Sequence, residues 1–362
     1  MESTTGTTRG RSVGRGWQWL GALVVVVVVA AFAFAVRIEL PYYSIAPGSA
    51  VDAVRFVDVT EGPEHQPEGH ILLTTVALGK VTLFEAIEGW LDPGVDVVKE
   101  ELIIGDRDID EDQLREENLQ AMDHSKQLAI GVALEALGID AITGSGTEIV
   151  GVFEGTPAEG ALAVGDVIVG IDDAPVALEP DLRRVLADRQ PGDRITLHVL
   201  AADGAPRDVP ITLVAAPDDP DRAIIGISLT TKALEFDIPY EIELQSEQIG
   251  GPSAGLAFTL ALIDVLTEGE LTGGETVATT GTIELDGSVG EVGGVPQKTL
   301  AVRESGATLF IVPSGELELA RRFAGDELRV EPADTLEEAL AVLATVGGNG
   351  LALPDLGAEG AS

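Results

Sequence analysis

Ser253 lies in Gly250-Gly251-Pro252-Ser253-Ala254-Gly255-Leu256, directly after a proline and at the mouth of an apolar run from Leu256 to Leu266. Proline suits a first helical turn, because its fixed φ fits and its missing N–H would have no partner there. The stretch therefore predicts Ser253 at a helix N-terminus, where free N–H groups and the positive dipole end favour developing negative charge. A Gly-rich loop before a buried helix would read the same way from this segment alone. What could activate the hydroxyl is narrowed by exclusion. The segment fits G-x-S-x-G, whose nucleophile elbow requires a His after the serine. His65, His70, His124 and His198 all precede it, so that order is excluded; any other triad order needs an upstream His. Cysteine is absent, which removes thiol chemistry.

Lysine remains, and the full set is Lys80, Lys99, Lys126, Lys232 and Lys298. Only Lys298 follows the serine, in the glycine-rich turn Gly290-Glu291-Val292-Gly293-Gly294 and the apolar helix expected from Val295. A lysine is a base near neutral pH only when its pKa is lowered by about 2–4 units, through desolvation or a nearby cation. Val295, Ala301 and Val302 share its expected helix, so burial of the amine is the expectation.

Three segments carry a resemblance: Gly251-Pro252-Ser253-Ala254-Gly255, Thr280-Gly281-Thr282-Ile283-Glu284-Leu285-Asp286-Gly287, and Gly293-Gly294-Val295-Pro296-Gln297-Lys298. Together the chain resembles the proteolytic domain of the Lon family, in residue types and in the spacing from 253 to 298. The resemblance implies Ser253 as nucleophile, Lys298 as general base and Thr280 as a hydrogen-bonding neighbour of the lysine. Backbone N–H groups near Gly251 and Ser253 would hold the oxyanion. Two departures stand out: Gly250 replaces an acidic residue, and Thr282 replaces the Glu of a T-G-E segment. They bear on groove shape and resting-state closure, not on the dyad. The resemblance also implies a ring-shaped homo-oligomer such as a hexamer.

The elements that must position these residues belong to a multidomain α/β chain. Residues 1–16 read as a basic cytoplasmic tail with Arg9, Arg11 and Arg15. Trp17 to Val36 is apolar except for Gln18, and twenty residues at about 1.5 Å each span a hydrocarbon core of roughly 30 Å. Lipid demands internal hydrogen bonding, hence a transmembrane helix despite the valine run. The arginines place the N-terminus in the cytoplasm and the rest outside, a single-pass protein of the cell membrane. Ala31-Phe32-Ala33 and Ala33-Phe34-Ala35 offer a signal-peptide reading, against which the apolar core is long.

Residues 41–136 read as a mixed α+β extracytoplasmic region, with strands at Val51–Val54 and Ile71–Val76 and a helix at Leu83–Trp90. Segments 42–50 and 72–93 also resemble membrane-anchored, PDZ-containing Lon-like proteases. Asp106, Asp108, Asp110, Asp112 and Glu117 take EF-hand-like positions, but Glu111 stands where the turn needs Gly, so a solvated helix start is the better reading. A helix is expected over Ser125–Leu137. Residues 137–216 resemble the PDZ domains of bacterial envelope proteases, with Leu137-Gly138-Ile139 as a candidate carboxylate-binding turn; such domains add a peptide as a strand.

A Pro/Asp-rich linker, 216–221, precedes an α/β proteolytic domain at 222–347 and a flexible tail at 348–362. No G-x-x-x-x-G-K-[ST] occurs, so ATP-independent action on flexible or misfolded extracytoplasmic proteins is expected. No metal or other cofactor is called for. Acidic residues outnumber basic ones by 61 to 22, a formal charge of −39, which disfavours nucleic acid as a partner. Peptide or protein substrates, and the lipid bilayer through 17–36, are the expected partners. The rival from another class is a PDZ scaffold or adaptor with an inactive protease-like domain.

Overall fold

The computed structural model describes residues 19–359 apart from 21, 28, 30–34, 61, 108, 247 and 248. Strands β1 (Glu39–Asp52), β2 (His70–Thr82) and β3 (Asp96–Lys99), with helix α1 (Leu83–Leu91), come first; the long helix α2 (Glu111–Ala136) follows. Next are β4 (Thr147–Val152), β5 (Val167–Ile171), α3 (Glu179–Ala187), β6 (Arg194–Leu200), β7 (Pro206–Thr212) and β8 (Ile227–Thr231). The chain continues through α4 (Gly255–Leu266), β9 (Thr276–Thr279), α5 (Val295–Ser305) and β10 (Leu309–Val312). Helix α6 (Leu317–Ala324), β11 (Arg329–Pro332) and α7 (Leu336–Ala344) follow, and a short helix at Leu356–Glu359 ends the described residues.

The larger sheet has the order β11-β10-β9-β2-β1-β3. Its first four strands are mutually parallel, while β1 runs antiparallel to both β2 and β3. Period-two alternation sends successive side chains to opposite faces, and the register aligns them in rows. Ile71, Val277 and Leu309 form a row on one face, packed with α2 and α4. Leu72, Ala278, Phe310 and Val330 form a row on the other, covered by α5 and α6. Both faces are buried, as a parallel sheet with helical crossovers requires. Helix α4 is buried along its entire length between sheet and α2, which explains why its sequence is apolar on every side.

This topology corrects the expected domain boundaries. Residues 41–136 are not a separate region, because β1, β2 and β3 are half of the larger sheet and α2 packs on α4. The strand expected at 51–54 is longer and earlier: β1 ends at Asp52, and Ala53–Phe56 is a 3-10 turn capped by the Asp52 side chain. The helix expected from Ser125 starts at Glu111, where Asp110 and Gln113 form a capping box; Glu117 pairs with Arg107. The acidic stretch is therefore a helix start, with Asp108 outside the described residues.

The smaller sheet, order β7-β6-β5-β4-β8, is antiparallel and encloses its own core around Ile149, Ile168, Ile171, Leu182 and Leu197. Strand β8, expected to open the proteolytic domain, belongs here: Ile227 and Leu229 pack on this core while β8 pairs with β4. The smaller body is thus inserted into the larger one. Its two connections run side by side, Ile142–Thr143 pairing with Glu235–Phe236.

The C-terminal segment is also corrected. Leu353 and Leu356 pack on the main core, and Leu356 N–H donates to the Leu137 carbonyl at 2.8 Å, so the chain from 348 to 356 is tied down. Of 17–36, the described residues 19–20, 22–27, 29 and 35 are helical and the remainder lies mostly outside the described residues. Among the described residues no helix is long and apolar enough to cross a membrane.

Candidate active site

Ser253 sits in a 3-10 turn, Pro252–Ala254, that runs into α4. Pro252 fills the first helical position, as its chemistry favours. The turn is held from two sides. On one, Gly251 N–H donates to the Asn118 carbonyl at 2.8 Å, and Ser125 Oγ donates to the Pro252 carbonyl at 3.1 Å. Asn118 and Ser125 are seven residues apart on α2, hence on one face. On the other side, Gly281 N–H donates to the Ser253 carbonyl at 3.1 Å, and Leu256 N–H donates back to the Gly281 carbonyl at 3.2 Å. Gly251 has φ +86°, a conformation that costs glycine little and other residues more.

Lys298 lies in the first turns of α5 and is 2% exposed. Its Nζ donates to Thr280 Oγ1 at 3.1 Å, and Thr280 Oγ1 donates to the Ser253 carbonyl at 3.4 Å. Thr280, itself fully buried, follows β9 directly, and its N–H donates to the Ile311 carbonyl at 3.1 Å. The structure thus brings Ser253, Thr280 and Lys298 together, with the threonine hydroxyl as the link. Ser253 Oγ and Lys298 Nζ share no direct hydrogen bond here; catalytic contacts often close only when substrate binds.

Burial lowers the Lys298 pKa to about 8, and the nearby Glu316 carboxylate opposes that shift. Desolvation acts on the charged form, because a low-dielectric interior replaces water around the ammonium. Glu316 is buried too; desolvation pushes its carboxyl up, while its hydrogen bond from Val292 N–H at 2.7 Å and the lysine pull it down. Among the described residues no carboxylate lies within ion-pair distance of Lys298, so only the more distant Glu316 favours its charged state. An amine of this pKa can accept a proton from a hydroxyl near neutral pH and return it to a leaving group.

Residues 247–345 match the family described as Lon protease (S16) C-terminal proteolytic domain, and residues 117–213 match PDZ domain. Lon protease 1 of Herpetosiphon aurantiacus is 35% identical over 106 residues, 29% of this chain and 12% of that protein. Lon protease of Koribacter versatilis is 44% identical over 64 residues, 18% and 8% of the two chains. The chain carries a Lon-type proteolytic domain. This is a serine peptidase domain, with a PDZ domain in the same chain. The mitochondrial Lon protease homolog of Drosophila melanogaster is 35% identical over 91 residues, and here too the chain spans only 9% of the relative's length. Among solved structures, the PDZ domain of an SdrC-like protein from Listeria monocytogenes aligns with 24% of this chain and 87% of its own, at 22% identity and TM-score 0.22.

Two expected site assignments are corrected. In the Lon-type domain Gly251 N–H is already bonded to Asn118, so it is not free to hold an oxyanion; Ser253 N–H, in the first turn, has no acceptor among the described residues. Leu137-Gly138-Ile139 is not the PDZ carboxylate turn. All three N–H groups donate to carbonyls in the last turn of α2, and Leu137 is fully buried in the main core. The segment is a helix C-cap with Gly138 at φ +77°.

The geometry of the PDZ domain points elsewhere. Among the described residues strand β8 pairs only with β4, leaving its other edge open beside α3, whose Glu179 N–H donates to Thr231 Oγ1 at 3.0 Å. Just before it, the N–H groups of Ile225 and Gly226 find no acceptor among the described residues. Gly226 has φ +91°, and a Cβ there would lie 2.2 Å from Thr156 Cβ.

Asn118, Ser125, Glu316 and Ile225-Gly226-Ile227 were missed in the sequence. Ser125 carried a signal, a lone hydroxyl on the apolar helix face of Leu128 and Val132. Ile225-Gly226-Ile227 is also an apolar-Gly-apolar triplet, hidden by a boundary placed too early. Asn118 acts through its carbonyl, to which residue type is silent.

Proposed function

We propose that this chain is a membrane-anchored, ATP-independent serine endopeptidase using a Ser253–Lys298 dyad. The observation that carries the reading is the buried Lys298 amine, lowered to about 8, bonded through Thr280 to the backbone of a serine at a helix start. Neutral Lys298 takes the Ser253 proton as Oγ attacks the peptide carbonyl. The oxyanion rests on the Ser253 N–H and the positive end of α4. Lys298 then protonates the leaving amine, and water, deprotonated by the same amine, releases the acyl group. Only deprotonated lysine starts the cycle, so kcat/KM rises with pH toward a plateau above about 8.

The apolar run 17–36 and its flanking arginines support an anchor with the N-terminus in the cytoplasm and both domains outside. Substrates in that setting are flexible or misfolded segments, because no nucleotide-binding motif accompanies the protease. The PDZ domain holds a peptide along the open edge of β8, with a terminal carboxylate on the Ile225 and Gly226 N–H groups. A ring-shaped homo-oligomer belongs to the same reading.

A fluorogenic-peptide assay of the full chain, with Ser253→Ala and Lys298→Ala beside it, tests the dyad. Both variants should fall to the background rate. Three equal rates would instead support a scaffold with an inactive protease domain.

A further inference from the structure

Helix α1 is packed the wrong way round for a soluble surface. It turns Ala86 and Gly89 inward and Ile87, Trp90 and Leu91 outward, at 47%, 59% and 80% exposure. Positions i, i+3 and i+4 share one helix face. The orientation is built in: a capping box between Thr82 and Glu85 fixes the start, and a Cβ at Gly89 would meet Val97 Cγ2 at 2.6 Å. The apolar face continues beyond the helix. Trp90 meets Tyr42 edge-on at 6.4 Å, and Tyr42 borders the same surface depression as Leu102, which is 74% exposed.

This patch lies where the chain leaves its long apolar run. That run ends at Val36, and Leu83 N–H, at the start of α1, donates to the Ile38 carbonyl at 3.1 Å. The helix is therefore stapled to the stem of the proposed anchor, two residues past its end. Tryptophan and tyrosine with apolar neighbours prefer the level of lipid headgroups. The patch is flanked by Glu88, Glu101 and Asp106 against a single cation, Lys99, so its surplus of negative charge disfavours an anionic bilayer and not a zwitterionic one.

We propose that α1, with Tyr42 and Leu102, is a platform resting on a zwitterionic phospholipid surface at the foot of the anchor. It holds the protease body at a fixed tilt against the bilayer. The inference rests on the anchor reading, and the test separates the two. The chain has three tryptophans, Trp17, Trp19 and Trp90. Full-length protein is reconstituted into phosphatidylcholine vesicles with and without brominated acyl chains. One variant keeps only Trp90 (Trp17→Phe, Trp19→Phe); another keeps only Trp19 (Trp17→Phe, Trp90→Phe).

Bromine quenching of the Trp90-only emission by at least about half, weakened several-fold by Ile87→Glu with Leu91→Glu, supports the platform. Quenching of Trp19 with Trp90 silent overturns the platform and leaves the anchor standing. Silence of both overturns both. Quenching of Trp90 alone supports lipid contact by α1 and removes the anchor. A Trp90 emission insensitive to bromine but dependent on protein concentration assigns the face to a second copy, which also overturns the proposal.

Discussion

The Lon-type body and the PDZ domain treat buried charge in opposite ways. In the PDZ domain, Asp166 is 3% exposed and ion-paired with Arg207, and its carboxylate also accepts from Ala163 N–H at 2.9 Å. A buried charge so satisfied locks a fold and does little else. In the Lon-type body, Lys298 is as deeply buried but has one hydroxyl for company and no ion pair among the described residues. The first arrangement keeps a charge charged; the second prepares it to become neutral. The PDZ domain has unpaired backbone donors instead, the Ile225 and Gly226 N–H groups just before the open edge of β8, besides one buried hydroxyl, Thr147 Oγ1. In the proposed function, desolvation serves chemistry in one body and an unfilled hydrogen-bonding edge serves capture in the other.

The sharpest way to break this contrast is Lys298→Met. Losing the base should lower kcat by about 10⁴-fold or more, as for other groups that act as a unit with a nucleophile. The same change should stabilise the fold at pH 7. Burial lowers the folded lysine from the ordinary 10.5 to about 8, and each unit is worth about 1.4 kcal/mol, so the gain is on the order of 3 kcal/mol. Between those two values the unfolded lysine holds its proton while the folded one has lost it. Unfolding therefore takes up protons, and wild-type stability climbs with pH from about 8 to 10.5. Chemical denaturation across this window should show the climb in wild type and not in Lys298→Met. Equal slopes would mean that the amine is solvated after all.

The next test acts on the other body alone. Gly226→Val places a side chain at φ +91° and against Thr156, so it should deform the turn before β8. Binding of a peptide with a free carboxylate should weaken at least about tenfold, while kcat/KM for a short internal peptide stays unchanged. Each tenfold is about 1.4 kcal/mol, well within the strain expected of a β-branched residue there. A parallel loss in short-peptide cleavage would show that the two bodies are not separable. Excision tests the same point, and its boundaries matter. Removing 137–216 would take Leu137 out of the main core and leave β8 without β4. Joining Ile142 to Phe236 through a short linker should instead keep the peptidase intact.

The sequence made legible what depends on residue type and local period. Ser253, Thr280 and Lys298 stand together as the resemblance implied, α4 covers the apolar run Leu256–Leu266, and α5 starts at Val295. It did not show which strands share a sheet. Nothing local in Ile71–Val76 says that it lies beside Val277, some two hundred residues on, so the N-terminal region looked separable. The inserted body hid its own last strand for the same reason. Leu137-Gly138-Ile139 and Ile225-Gly226-Ile227 are alike as patterns; only the first follows a helix whose carbonyls need capping.

The smallest expected effect lies at the seam between the bodies. Helix α2 reaches both: near its start it fixes the Ser253 turn through Asn118 and Ser125, and near its end Gly131 packs on Ile142 and Phe236, where the PDZ domain enters and leaves. Ser125→Ala removes one hydrogen bond to the Pro252 carbonyl, worth about 0.5–1.5 kcal/mol, so kcat should fall about 2- to 10-fold. The Lys298 environment is untouched, so the midpoint of the kcat/KM pH profile should stay put, and KM should not change. A shifted midpoint would mean that Ser125 also shapes the lysine's surroundings. If α2 carries information between the bodies, a carboxylate-bearing peptide that alters wild-type kcat should alter the Ser125→Ala rate less. An identical response in both would leave α2 as a rigid post, and the contrast between the bodies would then hold without any traffic between them.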